Sequence, residues 1–190
     1  YLGGELGKLG VAMSGPAYEP KYFKDMEIIF AEGDRGGEAY FVKSGQVRLT
    51  KKIDGKMENL TTVETDAIFG ELAILGDMPR HATAVAIGEC HCLSINREDL
   101  RAIVSETSGE VQGLINFLVT YCEEFLVYEM RGYIPGEAEK PEHRKAFHLL
   151  KNGEIQRAIG EIKDPVMTVI LRSLYHYAER RLPLELWELL

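Results

Sequence analysis

The sequence predicts an α+β fold: an antiparallel β-roll of the jelly-roll type, then a long helix and a small all-α extension. Up to Ile95, short apolar or alternating runs are separated by turn residues, as in small antiparallel sandwiches and barrels. After Asn96, apolar residues recur every three or four positions, which indicates helices. With 190 residues, 45% of them hydrophobic, the chain can bury the core of one ordinary domain with a small appendage.

Short runs of β-forming residues predict the strands of the roll, at Glu27–Phe30, Glu38–Val42, Gln46–Thr50, Thr83–Ile87 and Cys90–Ile95. Turn chemistry separates them at Glu32-Gly33-Asp34, Ser44-Gly45 and Asp54-Gly55. Glycine adopts the positive φ that tight hairpins require, and Asp54-Gly55 is the strongest hairpin signal.

The helical half begins with a short helix around Leu100 and continues with a long one at 109–131. Apolar residues follow one face of this long helix at near-heptad spacing, which favours a homodimer through 109–131. Burial of the same face against the chain's own sheet stays open. The predicted organisation is a partly irregular N-terminal segment, the β-roll, the connecting helix and a helical C-terminal domain, at 1–25, 26–107, 108–132 and 137–190.

Charge and cysteine usage limit the class of protein. The formal net charge is -8, and residues 137–190 hold nine acidic and nine basic side chains, so no basic surface favours nucleic acid. The three cysteines lack the spacing of a disulfide framework or a paired metal site, which predicts a reducing, cytoplasmic compartment. No apolar run approaches the roughly 18 residues that a membrane helix requires, so no membrane association is expected.

The segment from Phe69 to Thr83, FGELAILGDMPRHAT, carries the candidate site. The start of a short helix offers unpaired N–H groups, and Gly70 lets the backbone approach a ligand closely, which favours an anion. Arg80 can bind the same anion with two parallel N–H donors. An ionised Glu71 only accepts hydrogen bonds, so it suits a hydroxyl group such as that of a ribose.

This segment resembles the phosphate-binding cassette of the cyclic nucleotide-binding domain family, whose pattern FGEL(A)…PR-x-A-T is nearly complete here. The resemblance runs from about Ile28 to Val104 and also includes the three turns. It implies cAMP as the ligand, with cGMP as the alternative, and no cofactor. The ligand-binding residues that it implies are Phe69, Gly70, Glu71, Leu72, Ala73, Arg80, His81, Ala82 and Thr83.

The resemblance also implies individual roles. The backbone of Ala82 and the side chain of Thr83 would complete the phosphate contacts, while Leu72 and Ala73 would lie in the short helix against the ligand. His81 stands where many relatives have Ser, Thr or Ala, so the choice of purine stays open. The long helix would cover the base, with Tyr121 or Phe125 as the candidate stacking residue.

These features favour a regulatory module that relays ligand binding through the long helix to C-terminal helices that dock a protein. One alternative is a transcription regulator of the catabolite-activator type with a divergent helix-turn-helix near Arg172, although DNA is disfavoured by the neutral charge there. A second is a degenerate domain that binds no ligand, with the His81 imidazole filling part of the pocket, and that serves as a protein-interaction scaffold. Taken alone, Glu71 and Arg80 could also be a structural ion pair that braces a loop. No nucleophile, carboxylate pair or metal-ligand set emerges, so neither catalytic residues nor a metal are predicted.

Overall fold

The computed structural model describes residues 18–53, 55–130, 157, 159–160, 162 and 165–180. The chain divides into two compact units between Glu106 and Thr107. The first unit contains the sheet and two short helices, and the second contains the longer helices. Within the described residues, no helix combines the length and the apolar character that crossing a membrane demands.

An antiparallel sheet forms the first unit, in the strand order β1-β6-β3-β4, with β2 paired to β6 and β5 to β3. The described strands are β1 Tyr18–Phe23, β2 Ile28–Phe30, β3 Glu38–Ile53, β4 Lys56–Val63, β5 Ile68–Phe69 and β6 Thr83–Asn96. Helix α1, Glu71–Leu75, lies between β5 and β6, and helix α2, Arg97–Ser105, follows β6. The predicted antiparallel β-roll is therefore confirmed.

The Ser44-Gly45 turn predicted from the sequence is wrong, because β3 passes through it as one strand. The pairing with β6 shifts register between Val42 and Ser44 and again between Ser44 and Gln46, so this site is a β-bulge. Gly45 has φ +85°, and a Cβ there would lie 2.5 Å from the carbonyl oxygen of Glu89. Gly45 therefore allows β3 and β6 to approach closely at the bulge, and the chain does not reverse there.

Two further differences concern strands β6 and β1. Strand β6 is continuous where the sequence predicted two strands. Strand β1 was not predicted at all, since it lies in the segment 1–25 that was expected to be partly irregular. It contains Pro20 and, among the described strands, pairs only with β6 at the edge of the sheet, where a proline is tolerated although it weakens the strand signal in the sequence.

The hairpin at Asp54-Gly55 is confirmed. Ile53 pairs with Lys56, which leaves a loop of two residues, and Gly55 has φ +82°. The turn at Glu32-Gly33-Asp34 is confirmed as well, because Gly33 has φ +87° and the Asp34 carboxylate accepts a 2.9 Å hydrogen bond from the Ala31 N–H.

Alternating side chains of the long strands fill the interior of the roll. The buried cluster consists of Tyr40, Val42, Val47, Val63, Phe69, Ala84, Ala86, Cys90 and Cys92, with Phe23, Ile29, Phe30, Leu49 and Ala67 packed against it. The Cys90 and Cys92 sulfurs lie 3.6 Å apart on this face, and His91 stacks on Tyr22 on the other. This confirms that the two thiols share one face of a strand.

In the second unit, helix α3 spans Gly109–Met130, and helix α4 spans Pro165–Arg180. Buried residues of the two helices pack together, and the Cys122 thiol lies 3.7 Å from the carbonyl oxygen of Leu174. Ile115 and Leu118, part of the seam that favoured a homodimer, are thus buried within one chain. Of the helical domain predicted at 137–190, the structure describes α4 and residues 157, 159–160 and 162, and the rest, including the last predicted helix at 184–190, lies outside the described residues.

Candidate functional site

The Arg80 guanidinium is buried inside the first unit, with 5% of the residue exposed. Its Nη1 donates to the carbonyl oxygen of Gly70 at 2.7 Å, and its Nη2 donates to that of Glu38 at 2.5 Å. The guanidinium carbon lies 4.0 Å from the centre of the Phe30 ring, a cation–π contact. Its Nε has no hydrogen-bond partner among the described residues. The side chain therefore faces inward and retains an unused donor.

Burial lowers the pKa of Arg80 from its usual value, and the neighbouring Tyr40, Glu71 and Glu38 act in the opposite direction. An arginine remains protonated under such conditions. The interior of the roll therefore holds a permanent cation, which makes it receptive to an anion.

Gly70 allows the backbone to pass directly beside this cation. It has φ +80°, and a Cβ at this position would lie 2.5 Å from Arg80 Nη1 and 3.3 Å from the Phe30 ring. Both the left-handed backbone and the lack of space require glycine. Helix α1 begins at the next residue, Glu71, which is 6% exposed. The structure thus places Arg80 against Gly70, with Glu71 next in the chain at the start of α1.

The turn at Glu32-Gly33-Asp34 fixes the backbone of Arg80 from the other side. The Gly33 N–H donates to the Arg80 carbonyl oxygen, and the Arg80 N–H donates to that of Asp34, each at 2.8 Å. The Glu32 N–H donates to Thr83 Oγ1 at 3.0 Å. This turn therefore holds both ends of the Arg80–Thr83 segment.

The other predicted ligand residues occupy different environments. Phe69 is 2% exposed and stacks on Tyr40 with ring centres 5.2 Å apart, so it belongs to the core. Ala73 and Ala82 are buried, whereas the remaining three are half-buried: Leu72, His81 and Thr83. Tyr121 and Phe125 lie in helix α3, but their side chains are outside the described part of the chain.

Sequence reasoning missed Glu38, whose carbonyl oxygen accepts from Arg80. The Glu38 carboxylate in turn accepts hydrogen bonds from Tyr40 at 2.8 Å and Ser94 at 3.0 Å, and lies 3.4 Å from Lys21 Nζ. Burial raises the pKa of Glu38, but the hydrogen bonds and the ammonium outweigh it and hold that pKa below its usual value. A backbone carbonyl has no residue signature, so no sequence signal pointed to this contact.

Helix α2 is attached to the neighbourhood of α1 by two arginines. Arg97 Nη2 donates to the Gly36 carbonyl oxygen at 2.6 Å, and Nη1 forms an ion pair with Asp77. Arg101 Nη2 donates to the Ile74 carbonyl oxygen at 3.0 Å. The arginines thereby couple α2 to the segment that begins at Gly70.

Comparison with known proteins assigns this arrangement to a family. Residues 20–107 match the family profile described as "Cyclic nucleotide-binding domain", and the match begins within strand β1. Residues 20–107 form a cyclic nucleotide-binding domain. The matched residues include both the predicted β-roll and the segment that resembles the phosphate-binding cassette.

Relatives of this cyclic nucleotide-binding domain occur in several regulatory proteins. The chain is 35% identical over 82 residues to a cAMP-dependent protein kinase regulatory subunit of Mucor circinelloides f. lusitanicus, covering 43% of this chain and 19% of that protein. It is 32% identical over 136 residues to the Cyclic AMP receptor protein of Thermus thermophilus, covering 70% and 61%. The chain therefore spans less than two thirds of the length of each of these relatives.

A solved structure shares the fold of the domain. The cAMP-bound form of the EAL enzyme Bd1971 is similar with a TM-score of 0.53 and 26% sequence identity, covering 59% of this chain and 30% of that chain. The likeness places the same β-roll in a protein that was solved with cAMP bound.

Proposed function

We propose that this chain is a regulatory, non-catalytic sensor module that binds cAMP within its β-roll. One observation carries the proposal: a buried Arg80 guanidinium has an Nε without a partner among the described residues, beside Gly70. A cyclic phosphate is a monoanion, and a guanidinium offers it parallel N–H donors in a fixed geometry. An anion at this place would satisfy the Nε that the described part of the protein leaves unsatisfied.

The remaining contacts follow from the chemistry of the cassette. The Ala82 N–H and the Thr83 hydroxyl complete the phosphate site. Although Thr83 Oγ1 accepts from the Glu32 N–H, a hydroxyl that accepts one hydrogen bond can still donate another. Glu71 accepts from the ribose 2′-hydroxyl. Leu72 and Ala73 of helix α1, with Phe69 and His81 flanking the cassette, shape the wall of the site.

The names of the relatives support cAMP as the first ligand to test, since two of them are described as cAMP-dependent or as a cyclic AMP receptor. cGMP is the second, because His81 does not provide the hydroxyl associated with guanine contact. Tyr121 or Phe125 would stack on the base, a contact worth about 1–3 kcal/mol by analogy with nucleic-acid binding.

The proposed output passes along the chain from α2 into α3. Arg97 and Arg101 connect α2 to the cassette, so ordering of the cassette by a ligand would shift α2 and the helix that follows it. This is a population shift between two states, read out by a protein that docks on the C-terminal helices. A homodimer through 109–131 stays a prediction, and it would have to use a face of α3 other than the one buried by α4. The buried cysteines Cys90, Cys92 and Cys122, which form no disulfide, support a cytoplasmic location.

Isothermal titration with cAMP and cGMP tests the proposal. We expect the wild-type chain to bind cAMP, and the Arg80→Lys variant to bind it much more weakly, because a lysine retains the charge but not the paired donors. Arg48→Lys on the outer face of β3 is the matched control and should bind like the wild type. Absence of heat with both nucleotides would refute the proposal.

A second titration isolates the ribose contact. If Glu71 accepts from the 2′-hydroxyl, Glu71→Ala and the 2′-deoxy form of cAMP each weaken binding, but their combination weakens it little further. Additive losses would show that Glu71 acts elsewhere, for example by bracing Arg80.

A further inference from the structure

Lys51 is a buried lysine without a hydrogen-bond partner among the described residues. It lies near the end of β3 and is 6% exposed. Its Nζ is inaccessible to solvent and makes no hydrogen bond to any residue that the structure describes. Lysines are almost never fully buried unless they are paired, because taking an ammonium out of water without compensation is costly. The position of this ammonium therefore calls for an explanation.

The sheet register places Lys51 on the inner side of the roll. Side chains alternate along a strand, and Val47 and Leu49 both pack in the core cluster. Lys51 continues this series, whereas its neighbour Lys52 is exposed. An inward-facing cation is thus built into β3.

Lys51 is also next to the cassette in the sheet register. On the facing strand, Leu49 pairs with Ala84 and Thr50 pairs with Thr83, so the next position beyond this ladder is Ala82. The Lys52 N–H donates to Glu32 Oε2 at 3.1 Å, and the Glu32 N–H donates to Thr83, which ties this end of β3 to the same segment. Lys51 therefore borders the segment that contains Arg80.

The carboxylate nearest by register does not neutralise Lys51. Glu58 on β4 is directly opposite in the ladder, yet it is exposed and Lys51 Nζ makes no hydrogen bond to it. An ion pair with Glu58 therefore does not account for the buried ammonium.

From these contacts we infer that Lys51 is a second cationic ligand contact, whose ammonium donates to a phosphate oxygen of the bound cyclic nucleotide. This inference rests on the proposed function of the same site. An ammonium on a long flexible stem approaches an anion as a point charge, and so complements the rigid fork of Arg80. With ligand bound, the two cations Arg80 and Lys51 would face two anions, Glu71 and the phosphate.

The inference predicts opposite effects on stability and on binding. Without ligand, an unpaired buried ammonium opposes folding, so an apolar residue of similar length should be tolerated or preferred there. With ligand, the same replacement removes a charge-assisted hydrogen bond. A lysine with a purely structural role would not separate the two quantities in this way.

The test compares Lys51→Met with Lys52→Met in the full chain, by titration with cAMP and with cGMP and by thermal melting without ligand. We expect Lys51→Met to weaken both nucleotides by a similar factor of about tenfold or more. Its melting temperature should equal or exceed that of the wild type. Lys52→Met should bind like the wild type, and Lys51→Arg, which retains the charge, should bind better than Lys51→Met.

Each other outcome overturns the inference. Unchanged affinity of Lys51→Met, while the wild type binds cAMP, removes Lys51 from the site and leaves the proposed function intact. A loss confined to one of the two nucleotides assigns Lys51 to the base instead of the phosphate. A fall in the melting temperature of Lys51→Met with unchanged affinity shows a structural lysine. If the wild type binds neither nucleotide, the proposed function fails, and this inference fails with it.

Discussion

Gly70 permits both the left-handed backbone before α1 and the close approach of the Arg80 guanidinium. We expect Gly70→Ala to lose ligand affinity, because the new Cβ would lie 2.5 Å from Arg80 Nη1 and would displace the guanidinium. The left-handed backbone at this position would also cost the folded state about 1–2 kcal/mol of strain. Gly55→Ala is a matched control, since it has nearly the same φ but open space around the Cβ. Urea melts should show a loss of stability in both variants, larger in Gly70→Ala because Arg80 is also displaced, whereas titration should show lost cAMP binding in Gly70→Ala alone. Equal affinities would refute the steric argument.

Glu38 gives the first unit a defined acid sensitivity. Because its folded-state pKa is lowered, its contribution to stability is fully present above the pKa of the unfolded chain, about 4.3, and is lost as the pH falls through the lower folded value. We expect Glu38→Gln to flatten the fall in melting temperature below about pH 4.5. Glu19→Gln, an exposed neighbour of the same Lys21, serves as the control. An unchanged acid limb in Glu38→Gln would contradict the assignment.

At this scale the sequence was most informative where a side chain itself defines the chemistry. The FGEL and PR elements predicted that Gly70, Glu71 and Arg80 belong to one site. The Glu38 carbonyl and the Phe30 ring could not be found in this way, because a carbonyl is common to all residues and an aromatic ring in a strand is usually part of a core. Lys51 was not predicted for a related reason, since lysines on strands are usually solvated.

At the scale of elements, the roll depends on the long strands β3 and β6, and the sequence predicted two shorter strands in place of each. Glycine has the same appearance in a turn and in a bulge, so Gly45 suggested a chain reversal, and Gly88 falls where the second strand was divided. What decides between a turn and a bulge is pairing with a distant strand, and local patterns do not contain that information. The Asp54-Gly55 hairpin was predictable because its two strands are adjacent in the sequence.

Helix α2 depends on Arg97 for its attachment to the cassette. We expect Arg97→Gln to lower the free energy of unfolding by about 1–2 kcal/mol, because two hydrogen bonds to the Gly36 carbonyl and the ion pair with Asp77 are lost. Hydrogen exchange should accelerate in α1 and α2 while the β3–β6 ladder stays protected. Arg48→Gln, on the outer face of β3, should leave exchange in the helices unchanged. Uniform acceleration across the whole unit would indicate global destabilisation instead.

At the scale of the whole chain, the helical unit has its own core. Residues Met167, Thr168, Val169, Ile170 and Leu171 are all buried at the start of α4. A helix that reads DNA needs polar side chains exposed toward base edges and phosphates, so this part of α4 is unsuited to that role. The packing therefore disfavours a DNA-reading role for this part of α4.

Leu118 tests whether the α3 seam works within one chain. It is 0% exposed in a single copy, so Leu118→Ala should cost about 2–5 kcal/mol through lost burial and a residual cavity. Its effect on the melting temperature should be the same at low and high protein concentration. Asn116 is exposed on the same helix, so Asn116→Ala is the control and should change the melting temperature little. A midpoint that rises with concentration would instead place the seam in an interface between copies.

The two carbonyl contacts of Arg80 have a consequence for how such chains change over time. By joining Gly70 to Glu38, the guanidinium fastens the start of β3 to the chain before α1 without any ligand. Selection for folding alone would preserve this arginine after the domain had lost ligand binding. Related chains that no longer bind a ligand should therefore show substitutions at Glu71 before Arg80. In such chains a retained arginine would indicate a structural role and not ligand binding.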